Sequence, residues 1–579
     1  MKRPKRGRGR TGSPLPAPGD GRQAVPPPRP LRSARALAMA VWTGRAFALT
    51  VLAGALAVFA ADLANPFFND VGALLIAGAL ATVLTRDRWS RLALLVATVL
   101  WGVSGFSPRG PVKARIVVFG VDGATFDRID ALDLPNFERL GADGTRATLT
   151  SMEPMFSPLL WTTIASGRPP AEHGIRGFHV SSSDCEVARF WDIAEDRGWS
   201  VGLYKWLVDY PPRKVAGFWV PSWLAPGPET WPPELGYVKE LELSKRMRRK
   251  QVAARHGTVA LVGGLVRAGV RLSTLARAAA WSVEERTVGA PPQRANLVMQ
   301  TLRGRIDRDV FIAQLHVRDP ELATFTYYAT DGLAHLYWDH PEVVDAAYRQ
   351  ADAILGDIRA ELGPDARLFV VSDHGFKPMD GTGLAGQFAP LTARLKERLA
   401  PVADVDVARV GHKLTVGLRD TTRQAEVVAL LKTFTGASGA PFYLVEDLGA
   451  GSVGLTLADE QITAERLATE TVGGEPIARY VELTDAYTGT HEGRGVFYAV
   501  GPGVPTGARL DPVALIDVAP TILAAAGIPA STEMAGVARI FPEVTPRVDD
   551  WDGVIAKLQW LGGEQGQNED ALKALGYVE

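Results

Sequence analysis

From residue 115 onward, short β-branched runs alternate with longer amphipathic stretches, and this alternation is the strongest constraint on what the chain can fold into. Strands separated by helices cross over and lie parallel, with helices covering both faces of the sheet. The pattern predicts strands at 116–121, 201–204, 324–329, 368–371 and 496–500, and helices at 135–142, 343–362 and 519–526. The last helix has Pro520 in its first turn and Gly527 and Pro529 as stops. Three of the strands are followed within two residues by an aspartate: Asp122, Asp331 and Asp373. In open α/β sheets ligands bind outside the carboxyl ends of the strands, so these carboxylates are expected to line one crevice. The expected fold class is α/β, a doubly wound and mostly parallel sheet with insertions.

The alternation breaks twice. The first insertion, 208–320, opens with the Trp- and Pro-rich YPPRKVAGFWVPSWLAPGPETWPPELGY and continues into a basic helical stretch at 245–255. The second, 381–485, holds strand-like HKLTVGLR, FYLVED and SVGLTLA and helix-like AEVVALLKTF, which suggests a small α+β subdomain. Both lie between segments that carry candidate ligands, the first between Asp122 and Asp331 and the second between Asp373 and His491, and are natural walls for a site.

A net charge of −1 conceals a strong asymmetry. Residues 2–35 carry ten Lys or Arg against the single Asp20, among Pro and Gly that cannot build a core, which reads as a disordered basic tail. Three apolar stretches follow, 46–61, 71–84 and 92–106. Each is at or below the lower limit for spanning a bilayer, for which about 20 helical residues are needed. The first link holds Asp62 and Asp70 without Lys or Arg, whereas the second holds Arg86, Arg88 and Arg91. Under the positive-inside rule the tail and the second link are cytoplasmic, and three spans deliver the rest outside. A cleaved signal peptide followed by buried helices is the alternative, but a signal sequence has a shorter charged region and a small-residue cleavage site. The expected organisation is a cytoplasmic tail (1–35), a membrane region of about three transmembrane helices (36–107), a catalytic domain (108–545) and a C-terminal extension (546–579). It implies a multi-pass protein of the cytoplasmic membrane, with the lipid bilayer as a partner, the catalytic domain on the extracytoplasmic side and no nucleic-acid partner. The lone Cys185 can form no intramolecular disulfide.

Carboxylate and imidazole are ligands that suit zinc and similar divalent ions. Asp331 and His335, four residues apart in TDGLAH, would share one side of a helical turn and grip one ion, and His491 in THEGRG can close that site. Asp373 and His374 in SDHGF follow a strand, so their side chains can diverge, and Asp122 can complete a second ion with them. Any one of these residues alone is ordinarily a cap or a solvated group. Their joint occurrence at strand ends points to metal.

A nucleophile is offered by EPMFSPLLWTTIASG, where Ser157 precedes Pro158, a residue favoured in the first turn of a helix. Ser157 would then sit at a helix N-terminus, with its hydroxyl and nearby N–H groups facing an anion; the plainer reading is an N-cap. Thr162 and Thr163 compete, although their positions inside the helix favour packing or hydrogen bonding.

Taken in order, FGVDGAT, SPLLWTTIASGRPPAEHGI, TDGLAH, SDHGF, THEGRGVFYAVGPGV and IDVAPTILAAAGIP resemble the successive motifs of the alkaline phosphatase superfamily, from about residue 115 to 540. The closest likeness is to its type I phosphodiesterase/nucleotide pyrophosphatase branch. The resemblance implies an alkaline phosphatase-like domain in which Asp331, His335 and His491 hold one zinc, Asp122, Asp373 and His374 hold the other, and Ser157 is the nucleophile bridging both. It implies in-line attack on a phosphate ester or diester and a phosphoserine released by water or by an acceptor alcohol. Serine leaves monoester and diester both open, since the nucleotide pyrophosphatases often use threonine. The C/S-x-P-x-R motif of sulfatases is absent, because Leu159 and Trp161 follow Ser157 where Pro and Arg would be required, and DCEVARF around Cys185 lacks the Pro. Leu160 stands where the nucleotide pyrophosphatases tend to place a phosphate-binding Asn, which makes Lys205 a candidate substrate-binding cation if it faces the crevice and an ordinary surface lysine if it does not.

The function expected is a membrane-anchored, binuclear metal-dependent phosphohydrolase. The alternatives are a phosphomonoesterase, an inactive membrane scaffold, and a transferase of phosphoryl head groups to lipid or glycan, for which Trp206, Trp219, Trp223 and Trp231 would supply gripping surfaces.

Overall fold

The computed structural model describes residues 112–562 except 245–260, 380–387, 411–412, 437–438, 450, 459–463 and 484–487. By its contacts the chain divides into Met1–Val103 and Ser104–Glu579, and all described residues belong to the second unit. The basic tail, the three apolar stretches and the basic stretch at 245–255 lie outside the described residues. Among the described residues no helix is long and apolar enough to cross a membrane.

In chain order the strands that position the site are β1 (Ile116–Val121), β2 (Thr145–Thr150), β3 (Val201–Tyr204), β4 (Phe218–Val220), β5 (Leu322–Tyr327), β6 (Arg367–Val371), β7 (Gly375–Pro378), β8 (Gly489–Glu492), β9 (Arg494–Val500), β10 (Ala508–Arg509) and β11 (Val513–Ala514). Nine of them form the central sheet, in the order β10-β2-β9-β6-β1-β5-β3-β4 with β11 also on β2. β1 lies parallel between β5 and β6, and β3 lies parallel between β5 and β4. β9 alone is reversed, pairing antiparallel with both β6 and β2. The carboxyl ends of the other strands and the amino end of β9 therefore share one edge. β7 and β8 form a separate antiparallel ribbon with His491 opposite Phe376.

The helices are α1 (Pro135–Asp143), α2 (Ser157–Ser166), α3 (Pro292–Arg318), α4 (Ala329–Tyr337), α5 (Pro341–Glu361) and α6 (Val518–Ala526), among others. Every residue of β1 is buried, which is why IVVFGV reads as an unbroken apolar run. Ile116 and Val118 enter one core with Leu159 and Ile164 of α2 and Ile522 of α6. Val117, Phe119 and Val121 enter the other with Phe137 of α1, Phe311 of α3, Leu333 of α4 and Leu355 of α5. Helices thus cover both faces of a mixed but mostly parallel sheet, as expected. Trp551 and Val554, beyond residue 545, pack into the first core.

Most boundaries lie within one or two residues of expectation, and the one that bears on the site is the end of β5. β5 ends at Tyr327 and Ala329 already begins α4, because Tyr328 turns into helical backbone (φ −109°, ψ −5°) where the β-branched signal stops and Ala, a strong helix former, takes over. The shift puts Asp331 in the first turn of α4. Within the second insertion, Tyr443–Gly449, Ser452–Leu457, Lys413–Leu418 and Val405–Val410 form a four-stranded antiparallel sheet in that order. It has its own core, which includes Leu395, Val407, Leu414, Leu431 and Val453.

Candidate metal and nucleophile site

Three parallel strand ends are tied together where the aspartates emerge. Asp122 N–H donates to the Tyr327 carbonyl (2.9 Å), Ala124 N–H to Ser372 Oγ (2.9 Å), and Thr330 Oγ1 to the Asp122 carbonyl (2.6 Å). Gly123 makes the turn after Asp122 at φ +67°, a conformation that costs glycine little. Gly120 has a different task. A Cβ there would come within 2.6 Å of the Trp161 ring, whose Nε1–H donates to Asp122 Oδ2 (3.1 Å). Trp161 and Ser372 support the site and escaped the sequence reading, although both stand inside the quoted motifs SPLLWTT and SDHGF.

On α4, Asp331 and His335 share one side of a turn, with His335 Nε2 3.4 Å from Asp331 Oδ1. His491 arrives on β8, just before the reversed strand β9. Its Nε2 lies 3.0 Å from His335 Nε2 and 3.2 Å from Asp331 Oδ1. Its Nδ1 is 2.9 Å from the Met155 carbonyl, which can only accept, so Nδ1 carries the proton and Nε2 presents a lone pair to the site.

The second group forms after β1 and β6. His374 Nε2 lies 3.4 Å from Asp122 Oδ1, 3.4 Å from Asp373 Oδ2 and 3.4 Å from Ser157 Oγ. Its Nδ1 is 3.0 Å from the Gly375 carbonyl, which again leaves Nε2 facing inward. The two groups abut: the rings of His374 and His491 stack with centroids 3.6 Å apart.

All six ligand candidates and Ser157 are at most 4 % exposed. Burying three carboxylates this close together is unfavourable unless cations compensate them. Asp122 Oδ1 and both oxygens of Asp373 are buried and meet no hydrogen-bond donor in good geometry among the described residues. Burial, and then the charges of Asp373 and Asp331, push the Asp122 carboxyl well above the usual carboxylate range. Burial and the Asp331 charge likewise push Asp373 up to about 8. Burial and neighbouring His374 lower His491 to about 3, so its imidazole is neutral. Asp331 moves the other way, because the imidazoles of His335 and His491 more than offset its burial. The neutral imidazole of His491 and the unsatisfied carboxylates are what divalent cations require, and the described residues group as Asp122, Asp373 and His374 beside Asp331, His374 and His491.

Ser157 is the first residue of α2, and Phe156 occupies the cap position. The expected anion-binding helix end is largely taken: Pro158 has no N–H, and those of Leu159 and Leu160 donate to the Phe156 carbonyl. Thr162 and Thr163 donate their hydroxyls to the carbonyls of Pro158 and Leu159 inside the helix. Leu160 is fully buried in the first core.

A cavity of about 290 Å³ opens beside Ser157, Asp122 and Asp331, and Lys205 and Trp223 also line it. Lys205 is buried, with its ammonium 2.9 Å from Asp307 and 3.6 Å from Glu242, so its charge is compensated before any substrate enters. Trp206, Trp219 and Trp231 are packing residues. Their indole N–H groups donate to the carbonyls of Trp161, Asp209 and Val215, which leaves Trp223 as the one of the four at the cavity.

Residues 116–434 match the sequence model of the family described as type I phosphodiesterase / nucleotide pyrophosphatase. The match includes Asp122, Ser157, Asp331, His335, Asp373 and His374 and ends before His491. Among solved structures, murine ectonucleotide pyrophosphatase / phosphodiesterase 5 aligns with 77% of this chain and 100% of its own at 13% identity. The TM-score is 0.42 for an inactive variant in complex with AMP. The same protein in a second structure, with the same identity and coverage, gives 0.41. No curated protein sequence matches the chain.

Proposed function

The chain belongs to the type I phosphodiesterase/nucleotide pyrophosphatase family and is a phosphoric ester hydrolase, and from this premise we propose that it cleaves phosphodiesters at a two-zinc centre through a phosphoserine on Ser157. The observation that carries this reading is the meeting of six buried ligand side chains at one sheet edge, with Ser157 Oγ 3.4 Å from His374 Nε2. Asp331, His335 and His491 would hold one ion, and Asp122, Asp373 and His374 the other. Bound there, two divalent ions would lower the pKa of the serine hydroxyl and neutralise charge on the entering and leaving oxygens. Ser157 Oγ forms the new bond to phosphorus while the ester oxygen opposite to it departs with the leaving alcohol. Water then breaks the Ser157–phosphorus bond from that same side and restores the hydroxyl. Oxygen and nitrogen ligands without a thiolate suit zinc.

The test is elemental analysis of the full-length protein alongside hydrolysis of bis-p-nitrophenyl phosphate and p-nitrophenyl phosphate. Two zinc ions per chain and faster cleavage of the diester are expected. Preference for the monoester would make the protein a phosphomonoesterase, and undiminished turnover after the metal is stripped would sink the reading.

We further propose that the catalytic domain stands on the extracytoplasmic side of the cytoplasmic membrane. The support is the trio of apolar stretches at 46–61, 71–84 and 92–106 with arginines on the second link and none on the first. Recovery of the full-length protein in the membrane fraction after alkaline carbonate washing is expected, and its release by that wash would refute an integral anchor.

A further inference from the structure

The cavity beside Ser157 has a second functional wall. One face of α3 lines it, through Asn296, Met299, Gln300, Arg303, Gly304 and Asp307, at the three- and four-residue spacing that keeps side chains on one side of a helix. The charges on this wall are unequal in their partners. At the inner end Asp307 holds Lys205 (2.9 Å), and Glu242 takes both Lys205 (3.6 Å) and Lys239 (2.7 Å), so two lysines and two carboxylates cancel. Arg303, one turn away along α3, is half-buried and makes no ion pair or hydrogen bond among the described residues. It remains as a cation on a wall otherwise neutral, in a cavity that Trp223, Leu333 and Leu336 make largely apolar.

A guanidinium keeps its charge in such a setting and offers a planar fork of donors that matches a carboxylate or phosphate with two parallel hydrogen bonds. Apolar walls strengthen that pairing by excluding water. The cavity is also small. About 290 Å³ falls at the bottom of the range for small-molecule sites, roughly 300–1,000 Å³, and admits one compact ester group rather than a polymer. A group lying beside Ser157 is not the one that departs, since in-line displacement expels the leaving alcohol on the face of phosphorus opposite the nucleophile.

We infer that Arg303 binds a second oxyanion of the substrate, a phosphate or carboxylate on the compact ester group that stays on phosphorus when Ser157 attacks. The inference rests on the phosphodiesterase reading and narrows it. The preferred substrates are diesters in which one alcohol carries its own anion in addition to the diester charge. Arg303 is then a specificity-determining residue, acting on substrate recognition.

Three diesters with the same leaving group test it on the full-length, metal-loaded protein: p-nitrophenyl ethyl phosphate, p-nitrophenyl carboxyethyl phosphate and p-nitrophenyl phosphoethyl phosphate. The kcat/KM of the carboxyethyl ester, the phosphoethyl ester or both is expected to exceed that of the ethyl ester, which carries only the diester charge, by about tenfold or more, the worth of a charge-assisted pair, and the better of the two identifies the oxyanion. In Arg303→Gln this ratio is expected to fall to about one, and in Arg303→Lys to be kept only in part, because an ammonium retains the charge but not the paired donors, with the loss read mainly in KM. Because the ratio is internal to each preparation, partial misfolding does not move it. Equal rates on all three esters in the wild-type protein, or an unchanged ratio in Arg303→Gln, would overturn the assignment of Arg303 and leave the phosphodiesterase reading standing. Cleavage of none of the three would overturn both.

Discussion

Ser157→Ala should lower phosphodiester turnover by about 10⁴-fold or more while the protein keeps its bound metal, because the substitution removes the atom that attacks phosphorus and none of the six ligands. The residual rate would come from direct attack by water on a substrate still positioned in the same cavity. Folding should be little affected. Ser157 opens α2, its hydroxyl meets His374 Nε2 at 3.4 Å, and alanine is the better helix former at that position. The comparison to make is kcat/KM for bis-p-nitrophenyl phosphate with elemental analysis on the same preparations, together with mass spectrometry of acid-quenched wild-type protein for a phosphate on Ser157. Wild-type turnover in the alanine variant would eliminate Ser157 as the nucleophile, and Thr162 and Thr163, buried with their hydroxyls committed to helix carbonyls, offer no replacement.

His491→Ala should cost about one bound ion per chain and at least about 10³-fold in turnover. Three separate losses meet in that one ring. Its Nε2 faces Asp331 and His335 at 3.2 and 3.0 Å, so the first ligand group loses a member. Its Nδ1–H holds the Met155 carbonyl at 2.9 Å, so the loop leading into Ser157 loses a tether. Its ring also stacks on His374 at 3.6 Å, and the second ligand group loses a wall. The variant should therefore be impaired even at saturating zinc. His340→Ala is the control, since that side chain is 42% exposed beside Glu342 and outside the ligand groups. Two ions per chain and normal turnover in His491→Ala would remove His491 from the ligand set.

Much of this arrangement is legible in the amino-acid sequence. The strands at 116–121 and 201–204 match β1 and β3 residue for residue, because they are short apolar runs buried on both faces. The pairing of Asp331 with His335 follows from helical spacing, although the strand before it lies two residues earlier than the β-branched signal places it. What supports the ligands was harder to read. Trp161 reaches Asp122 only because Gly120 leaves room for its ring, a relation between two elements that no local pattern encodes. Lys205 could be placed near the crevice by its position after a strand, but its pairing with Asp307 depends on α3, which lies about a hundred residues further along the chain.

The residue types, their positions at strand ends and the helical spacing of Asp331 and His335 are readable along the chain, because they depend on local periodicity and on the side-chain chemistry of each segment. Long-range strand pairing, which no local pattern encodes, makes β9 run against its neighbours. That reversal brings the amino end of β9, with His491 on the ribbon just before it, to the edge where β1, β5 and β6 end. The tertiary structure also decides that Lys205 is neutralised and Arg303 is not. Both are basic residues next to a cavity, and the difference between them is which carboxylates the fold brings within reach.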